Sequence, residues 1–438
     1  MDIDLSQIKH IHIIGIGGSG ISAIARMMLG EGKTVTGQDM QESVIVHDLI
    51  TKGASITIGQ SYEAIPADAD LVVYTIAIEN YDPELFKLLK SEMRIPVRSY
   101  PEMLGMVSHD KYTIAVSGTH GKTTTTGMIA QIMRDNGTDP TVIIGSLLAG
   151  GTNFIAGRSD YFVVEACEYK RSFLTITPTV LIITNIEEDH LDYYKDIEDI
   201  KSAFRELISK MPPSGFIICD PSFKNVRDVV QGIHVPVIDY AKYISPKIHL
   251  MIPGIHNKKN AAAAIAVADM LRLSSGGVYA ALSNFRGTAR RFEMKGNLSQ
   301  GALVYDDYAH HPTEIMATLE GFRELYSRDE GWKITVVFQP HLFSRTKALL
   351  EEFGKSFSAA DHVLLLPIYR AREEDDGSIS SDMVARKISE NGTDARAFTD
   401  FESAEEYMRT LSLDSKDIVV TMGAGEAFKV TDELQKDL

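Results

Sequence analysis

The sequence predicts an α/β protein built as three successive blocks of parallel sheet covered by helices. Three observations predict it. Short β-branched apolar runs alternate with amphipathic stretches along the whole chain, the pattern of strands whose two faces are both buried by helices. Most of these runs lead into a loop rich in glycine or polar residues, where open α/β sheets bind ligands. The length, 438 residues, exceeds one ordinary core and suits about three domains at ~150 residues each.

The first block opens with an apolar strand at residues 10–14, then Gly15-Ile16-Gly17-Gly18-Ser19-Gly20, then a helix to about residue 30. A second strand at 34–37 leads to Asp39, and a third at 71–75 ends on Thr75. Gly15-x-Gly17-x-x-Gly20 followed by an acid at the end of the next strand is a dinucleotide-binding pattern. Read literally it binds NAD. Read broadly it binds any ligand with a diphosphate and a ribose, such as a UDP-sugar, and the plain alternative is a structural glycine turn.

The second block opens with a strand at 112–116 and the loop Gly118-Thr119-His120-Gly121-Lys122-Thr123-Thr124, followed by a helix over 123–136. A glycine-rich turn between a strand and a helix N-terminus aims backbone N–H groups outward to cradle phosphate oxygens. Lys122 supplies a cation for the β/γ-phosphates and the Thr123 hydroxyl a Mg²⁺ ligand. Val116 stands where the usual P-loop has its first glycine, so the loop is a shortened variant. Further strands are expected at 161–165, 180–184 and 216–219. The first of these ends on Glu165 and His190 follows the second, so two neighbouring strand ends are expected to present a carboxylate and an imidazole on one rim, beside the phosphate loop. Both suit a metal site, against the plain readings of a surface acid and a capping histidine. An alanine-rich helix over 257–271 is broken by Ser274-Ser275-Gly276-Gly277; Asn257 and Asn260 either cap it or offer a carboxamide to adenine.

The third block has strands expected at 302–305, 333–338, 362–366 and 418–421. After the first comes Asp306-Asp307-Tyr308-Ala309-His310-His311-Pro312-Thr313-Glu314, with Pro312 suited to the first turn of a helix. So dense a polar cluster is not buried without partners. The next strand ends in Gln339-Pro340-His341-Leu342-Phe343-Ser344-Arg345, where Arg345 can hold a carboxylate bidentately. Arg290-Arg291 lies at the expected hinge before this block, within reach of a nucleotide phosphate or else a surface pair. Residues 372–377 read as a solvated loop.

Composition narrows the class. The net charge of −16 argues against non-specific nucleic-acid binding and against docking on an anionic membrane. Two cysteines, Cys167 and Cys219, make no disulfide framework. No apolar run reaches the length of a membrane span and the first residues do not resemble a signal peptide, so a soluble cytoplasmic protein is expected.

In order along essentially the whole chain, these motifs resemble the Mur ligase family of cell-wall synthesis. The resemblance rests on Gly15 to Gly20, Gly118 to Thr124, Glu165-Ala166-Cys167-Glu168-Tyr169, Asn185 to His190, His256-Asn257 with Asn260, Arg290-Arg291-Phe292-Glu293, Asp306 to Thr313 and residues 338–346. It implies a Rossmann-like UDP-substrate domain (residues 1–105), a central ATP-binding domain (106–288) and a C-terminal Rossmann-like domain (289–438) that helps bind the amino acid. It implies a ligase using ATP and Mg²⁺, with Mn²⁺ as a substitute, and, in the alanine-adding branch, UDP-N-acetylmuramate and L-alanine as substrates. Neither nucleic acid nor membrane insertion is implied, and a monomer or weak homodimer is expected.

By the same resemblance Lys122, Glu165 and His190 are catalytic, and Thr123, Glu165 and His190 surround the metal. Gly118, Thr119, His120, Gly121, Lys122, Thr123, Thr124, Asn260, Arg291 and Asp306 hold ATP. Gly17, Gly18, Ser19, Gly20, Asp39, Thr75, His120, Tyr308, His341 and Arg345 hold the other substrates. Two departures stand out. Cys167 occupies a place where many relatives have Asp, and Leu342 one where some have Arg, which leaves more of the amino-acid carboxylate to Arg345. Unlike other branches, no carbamoylated lysine is expected. The rival readings are a family member that adds a whole tripeptide, an NAD-dependent oxidoreductase, and a non-catalytic nucleotide-binding regulator.

Overall fold

The computed structural model describes residues 3–148, 151–371 and 373–436. Three sheets follow one another along the chain. The first contains β1 (His10–Ile14), β2 (Thr34–Asp39), β3 (Ser55–Ile58), β4 (Leu71–Tyr74) and β5 (Val97–Ser99), in the order β3-β2-β1-β4-β5, all parallel. β1 lies where the strand order reverses, so the loop after it opens into the crevice where such sheets take ligands. That loop is the Gly15 to Gly20 turn, and the helix Ile21–Gly30 follows it.

The second sheet contains β6 (Tyr112–Ser117), β7 (Thr141–Leu148), β8 (Thr152–Ile155), β9 (Tyr161–Glu165), β10 (Val180–Ile183), β11 (Phe216–Cys219) and β12 (Val237–Asp239). Its order is β12-β11-β10-β6-β9-β7-β8, parallel except for the edge strand β8, which runs antiparallel to β7. β6 sits between β10 and β9, so the phosphate loop at its carboxyl end again marks a reversal of strand order. The third sheet contains β13 (Glu293–Asn297), β14 (Leu303–Asp307), β15 (Lys333–Phe338), β16 (His362–Leu365), β17 (Asp394–Ala397) and β18 (Asp417–Met422), in the order β13-β14-β18-β15-β16-β17. Only β13 is antiparallel.

The central strands are buried on both faces. Ile11, Ile13, Ile14, Ile114, Ala115, Val116 and Val180 to Ile183 are fully buried, as are Val336, Val337 and Phe338. That is why these strands are continuous apolar runs rather than alternating ones, and why the sequence shows them. The strands it missed are mostly edge or short ones. β3, β13 and β17 are largely exposed or half-buried and carry no apolar run.

The alanine-rich helix runs Ile255–Met270, so Asn257 and Asn260 lie inside its first turns and do not cap it. Gly254, at φ +98°, turns the chain in, and Asn257 Nδ2 donates to Pro253 O at 2.7 Å. The Ser274 to Gly277 break is itself the start of a helix, Ser275–Ser283. Pro312 does open a helix, Pro312–Leu325. The chain packs as two compact units. One comprises residues 1–249 and 260–283, with the first two sheets; the other comprises 250–259 and 284–438, with the third. No helix among the described residues is long and apolar enough to cross a membrane.

Candidate active site

In the first unit, the glycine turn after β1 is built by its neighbours. Gly15 has φ +73°, and a Cβ there would strike Thr75, which lies just past the end of β4. Gly17 N–H donates to Asp39 Oδ2 at 2.8 Å, so the acid at the end of β2 braces the turn directly. Gly20 lies against the Tyr100 ring, whose atoms sit 2.9 Å from where a Cβ would be. The predicted residues Gly17, Gly18, Ser19, Gly20, Asp39 and Thr75 thus belong to one crevice rim.

The phosphate loop follows the same logic. Gly118 and Gly121 have φ of +129° and +80°, conformations open to glycine. A Cβ on Gly118 would collide with Thr184 and the Asn185 backbone, and one on Gly121 would lie 2.6 Å from Asn260 Oδ1. The loop is strapped to the segment after β10. His120 N–H donates to Asn185 Oδ1 at 2.9 Å, Thr184 Oγ1 to His120 O at 2.6 Å, and Glu187 N–H to Thr119 Oγ1 at 2.8 Å. His120 Nε2 lies 3.4 Å from Glu187. Lys122 opens the helix Lys122–Asp135, and its ammonium donates to Gly118 O, to Thr119 O at 3.1 Å and to Glu168, 3.0 Å away. Burial alone would lower the Lys122 pKa; Glu168, then Cys167 and Glu165, reverse this and hold it above the usual lysine value. Thr123 and Thr124 are buried in the first turn behind it.

Glu165, at the end of β9, accepts the Gly145 N–H at 2.8 Å. His190 sits in the left-handed region at φ +56°, a strained conformation for a histidine. Its Nε2 lies 3.7 Å from Asp189 and 3.9 Å from Glu168, and its ring packs on Tyr169 with centroids 4.8 Å apart. Glu165 and His190 therefore stand on either side of β6: the strands before them, β9 and β10, are not neighbours as expected, because β6 with its loop lies between them. Among the described residues they do not share a cluster of histidine and acid ligand atoms within 4.8 Å of one another. Mg²⁺ keeps several waters and takes only one or two protein carboxylates beside substrate phosphates, so this open donor set fits it. Glu168, only 3% exposed, is the residue that the sequence reading passed over. Its signal was a second acid three positions after Glu165.

In the second unit, Asp306 and Asp307 end β14 and are buried. Asp306 accepts from Arg290 Nε at 2.8 Å and from Thr421 Oγ1 at 2.7 Å, while Arg290 also donates to Gly423 O and Gly425 O. Arg290 is thus a half-buried brace rather than a free surface residue. Arg291 lies over the Tyr308 ring at 5.1 Å, with Nη1 3.6 Å from Glu314. Glu314 also approaches His310 Nδ1 at 3.3 Å, and it too was missed, although an acid at the third position of a helix is a capping signal. Arg345 Nη1 donates to His341 Nδ1 at 3.2 Å, and the His341 ring stacks on Tyr369. Tyr308, His341 and Arg345 thus fall at the carboxyl ends of β14 and β15, two strands that flank β18. Leu342 holds φ +71°, a strained conformation for a residue with a side chain. The expected solvated loop at 372–377 is pinned in part: Glu373 accepts the Ser344 N–H at 3.0 Å, while Arg372 lies outside the described residues.

Three family models match in sequence order. The Mur ligase family catalytic domain matches residues 10–112, the Mur ligase middle domain 116–244 and the Mur ligase glutamate ligase domain 290–425. The chain belongs to the Mur ligase family. The UDP-N-acetylmuramate–L-alanine ligase of Acetivibrio thermocellus is 42% identical over 99% of this Mur ligase and 97% of its own length. That of Clostridium kluyveri is 40% identical over 98% of each. Among solved structures, the UDP-N-acetylmuramate-alanine ligase of Thermotoga maritima superposes with a TM-score of 0.79 at 26% identity, covering 98% of both chains. The murein peptide ligase of Psychrobacter arcticus gives 0.72 at 26% identity and the same coverage. The three-domain α/β fold expected of this Mur ligase is therefore established.

Proposed function

We propose that this Mur ligase joins L-alanine to the lactyl carboxylate of UDP-N-acetylmuramate at the expense of ATP, in the cytoplasm, as a step of peptidoglycan precursor synthesis. The observation that carries the reading is full-length identity of about 40% to ligases of that name. The geometry supports it. A phosphate-binding loop and a diphosphate-type glycine turn share one unit, and a cationic cluster lies at the strand ends of the other.

The positively turned glycines and the helix N-terminus after them form a cradle that fits a triphosphate. Thr123, Glu165 and His190 are the residues that would hold Mg²⁺, which supplies charge neutralisation for phosphoryl transfer. As the lactyl carboxylate attacks the γ-phosphorus and the bond to ADP breaks, negative charge builds on the phosphoryl oxygens and on the departing β-phosphate; Lys122 balances that charge, and loop N–H groups stabilise it too. Asn260, Arg291 and Asp306 are assigned to the nucleotide, Arg290 bracing Asp306. Arg345, oriented by His341, receives the amino-acid carboxylate while its amine attacks the acyl carbon and phosphate leaves. Domain boundaries near residues 105 and 288 are part of this reading, as is a monomer or weak homodimer.

The test is phosphate release from ATP, Mg²⁺ and UDP-N-acetylmuramate, with L-alanine, glycine, L-serine or an L-alanyl tripeptide as acceptor. L-Alanine-dependent release is expected; release with the tripeptide alone would shift the assignment to the peptide-adding branch, and none with any acceptor would refute it. Lys122→Ala should abolish acyl-phosphate formation while UDP-N-acetylmuramate still binds by calorimetry.

A further inference from the structure

The edge hairpin of the second sheet touches both halves of the site in the first unit. Its inner strand, β7, departs from regular pairing with β8 between Ile143 and Leu148. Gly145 lies in that irregular stretch, so its N–H is released from the ladder and goes to Glu165. A Cβ on Gly145 would meet the Glu165 carboxylate at 2.7 Å, so the two fit face to face.

The outer strand, β8, reaches the other way. Asn153 is fully buried, an expensive place for a carboxamide unless every polar atom is used. Its Nδ2 donates to Ser19 O, inside the glycine turn, and to Ser22 Oγ at 3.0 Å in the first turn of the following helix. Its Oδ1 accepts from Arg26 Nη1 on the next turn of that helix. Arg26, itself buried, is held in turn by Asp48 through Nε at 3.0 Å and Nη2 at 2.8 Å. Ser22 Oγ completes the knot by donating to Ser19 O at 3.2 Å. A hairpin remote in sequence therefore fixes the carbonyl at the end of the diphosphate turn, and the same hairpin fixes the carboxylate assigned to the metal.

We propose that Asn153 is a positioning residue for the UDP-substrate, and that the β7–β8 hairpin sets the spacing between the glycine turn and Glu165. This rests on the reading of that turn as the UDP-substrate site. It goes beyond it by naming a residue outside the turn that determines its geometry. Releasing Ser19 O should loosen the turn and weaken the diphosphate contact, with no effect on the phosphate loop.

The test compares Asn153→Asp, Asn153→Ala and Ser22→Ala with wild type. Asn153→Asp keeps the acceptor for Arg26 but cannot donate to Ser19 O. The KM for UDP-N-acetylmuramate should rise about tenfold in both Asn153 variants, as expected for loss of the buried hydrogen bond to Ser19 O, and about threefold in Ser22→Ala, which loses the longer Ser22 bond to Ser19 O but keeps the Asn153 one. The KM for ATP should stay within about twofold in all three. Equal changes in both KM values, or none in either, would overturn the proposal. Ser22→Ala deletes a single hydroxyl, so it supplies the comparison if the Asn153 variants fail to fold. Calorimetric titration of UDP alone separates the two levels of inference. If wild type binds UDP and Asn153→Asp binds it tenfold more weakly, the positioning role stands even were the ligation assay to fail. If Asn153→Asp binds UDP as wild type does, the positioning role falls whatever the assay gives.

Discussion

Glu168 shows how a single buried carboxylate can govern the phosphate loop. It lies 3.0 Å from the Lys122 ammonium and 3.9 Å from His190 Nε2, so it links the loop cation to the His190 imidazole. An ion pair so poorly solvated loses much when one charge is removed. Glu168→Gln keeps the shape and a hydrogen-bond acceptor but drops the charge. It should lower kcat/KM for ATP by roughly 10- to 100-fold, in line with ~1.5–3 kcal/mol for a hydrogen bond to a charged group. Steady-state phosphate release against ATP concentration measures this, and a change below twofold would mean that Lys122 needs no partner. Cys167, between the two acids, reaches the surface, and desolvation, then Glu168, push its thiol up to about 12.

At the scale of the element, the loop after β6 and strand β1 each make a sharp forecast. Gly121 has φ +80° and faces Asn260 at 2.6 Å from a hypothetical Cβ, so Gly121→Ala meets both strain and overlap. It should cost about 1–3 kcal/mol of stability and abolish saturable ATP binding, read by calorimetry. Strand β1 places His12 against β2 in a chain with one consistent set of protons. Gln38 Oε1 accepts from Ser61 N–H, so Gln38 Nε2 donates to His12 Nε2, leaving the proton on Nδ1, 2.9 Å from Thr36 Oγ1. Thr36 then donates to His10 Nε2, also at 2.9 Å. Burial, then the neighbouring His10, lower His12 to about 4 from 6.5. The folded state keeps this imidazole neutral while the unfolded chain protonates it, so its contribution is full above pH 6.5 and is lost as pH falls toward 4. The thermal midpoint of wild type should fall more steeply over that window than that of His12→Gln; parallel curves would contradict it.

For the whole molecule, the consequence is linkage between sites and stability. A ligand that binds only the folded state stabilises by RT ln(1 + [L]/Kd), about 2.7 kcal/mol at a hundredfold excess over Kd. A non-hydrolysable ATP analogue with Mg²⁺ should therefore raise the melting transition of the unit that carries the second sheet. UDP-N-acetylmuramate should stabilise the same unit, since the glycine turn and phosphate loop both lie in it. Lys122→Ala should remove the first shift and leave the second. Loss of both would place the two ligands on one shared site.

Much of this architecture was legible in the chain itself. Central parallel strands are buried on both faces and so must be apolar runs; ligand loops at a strand-order reversal must be glycine-rich to bring backbone to phosphate. Those two demands are local, and they made β1, β6, β10, β15, the two glycine turns and the family resemblance readable. Edge strands such as β3, β8 and β17 escaped, because a half-solvated strand needs no apolar run. So did the partners. That Lys122 pairs with Glu168, that Arg290 holds Asp306 and that Asn153 grips Ser19 are contacts between residues distant in sequence. The sequence by itself determined the fold class, the order of the domains and the glycine-rich loops at the strand-order reversals, since each follows from local burial and backbone freedom. Only the tertiary structure decided which buried charges and carboxamides satisfy one another. That pairing depends on sheet order and register, which bring remote residues within hydrogen-bond reach and which no local pattern encodes.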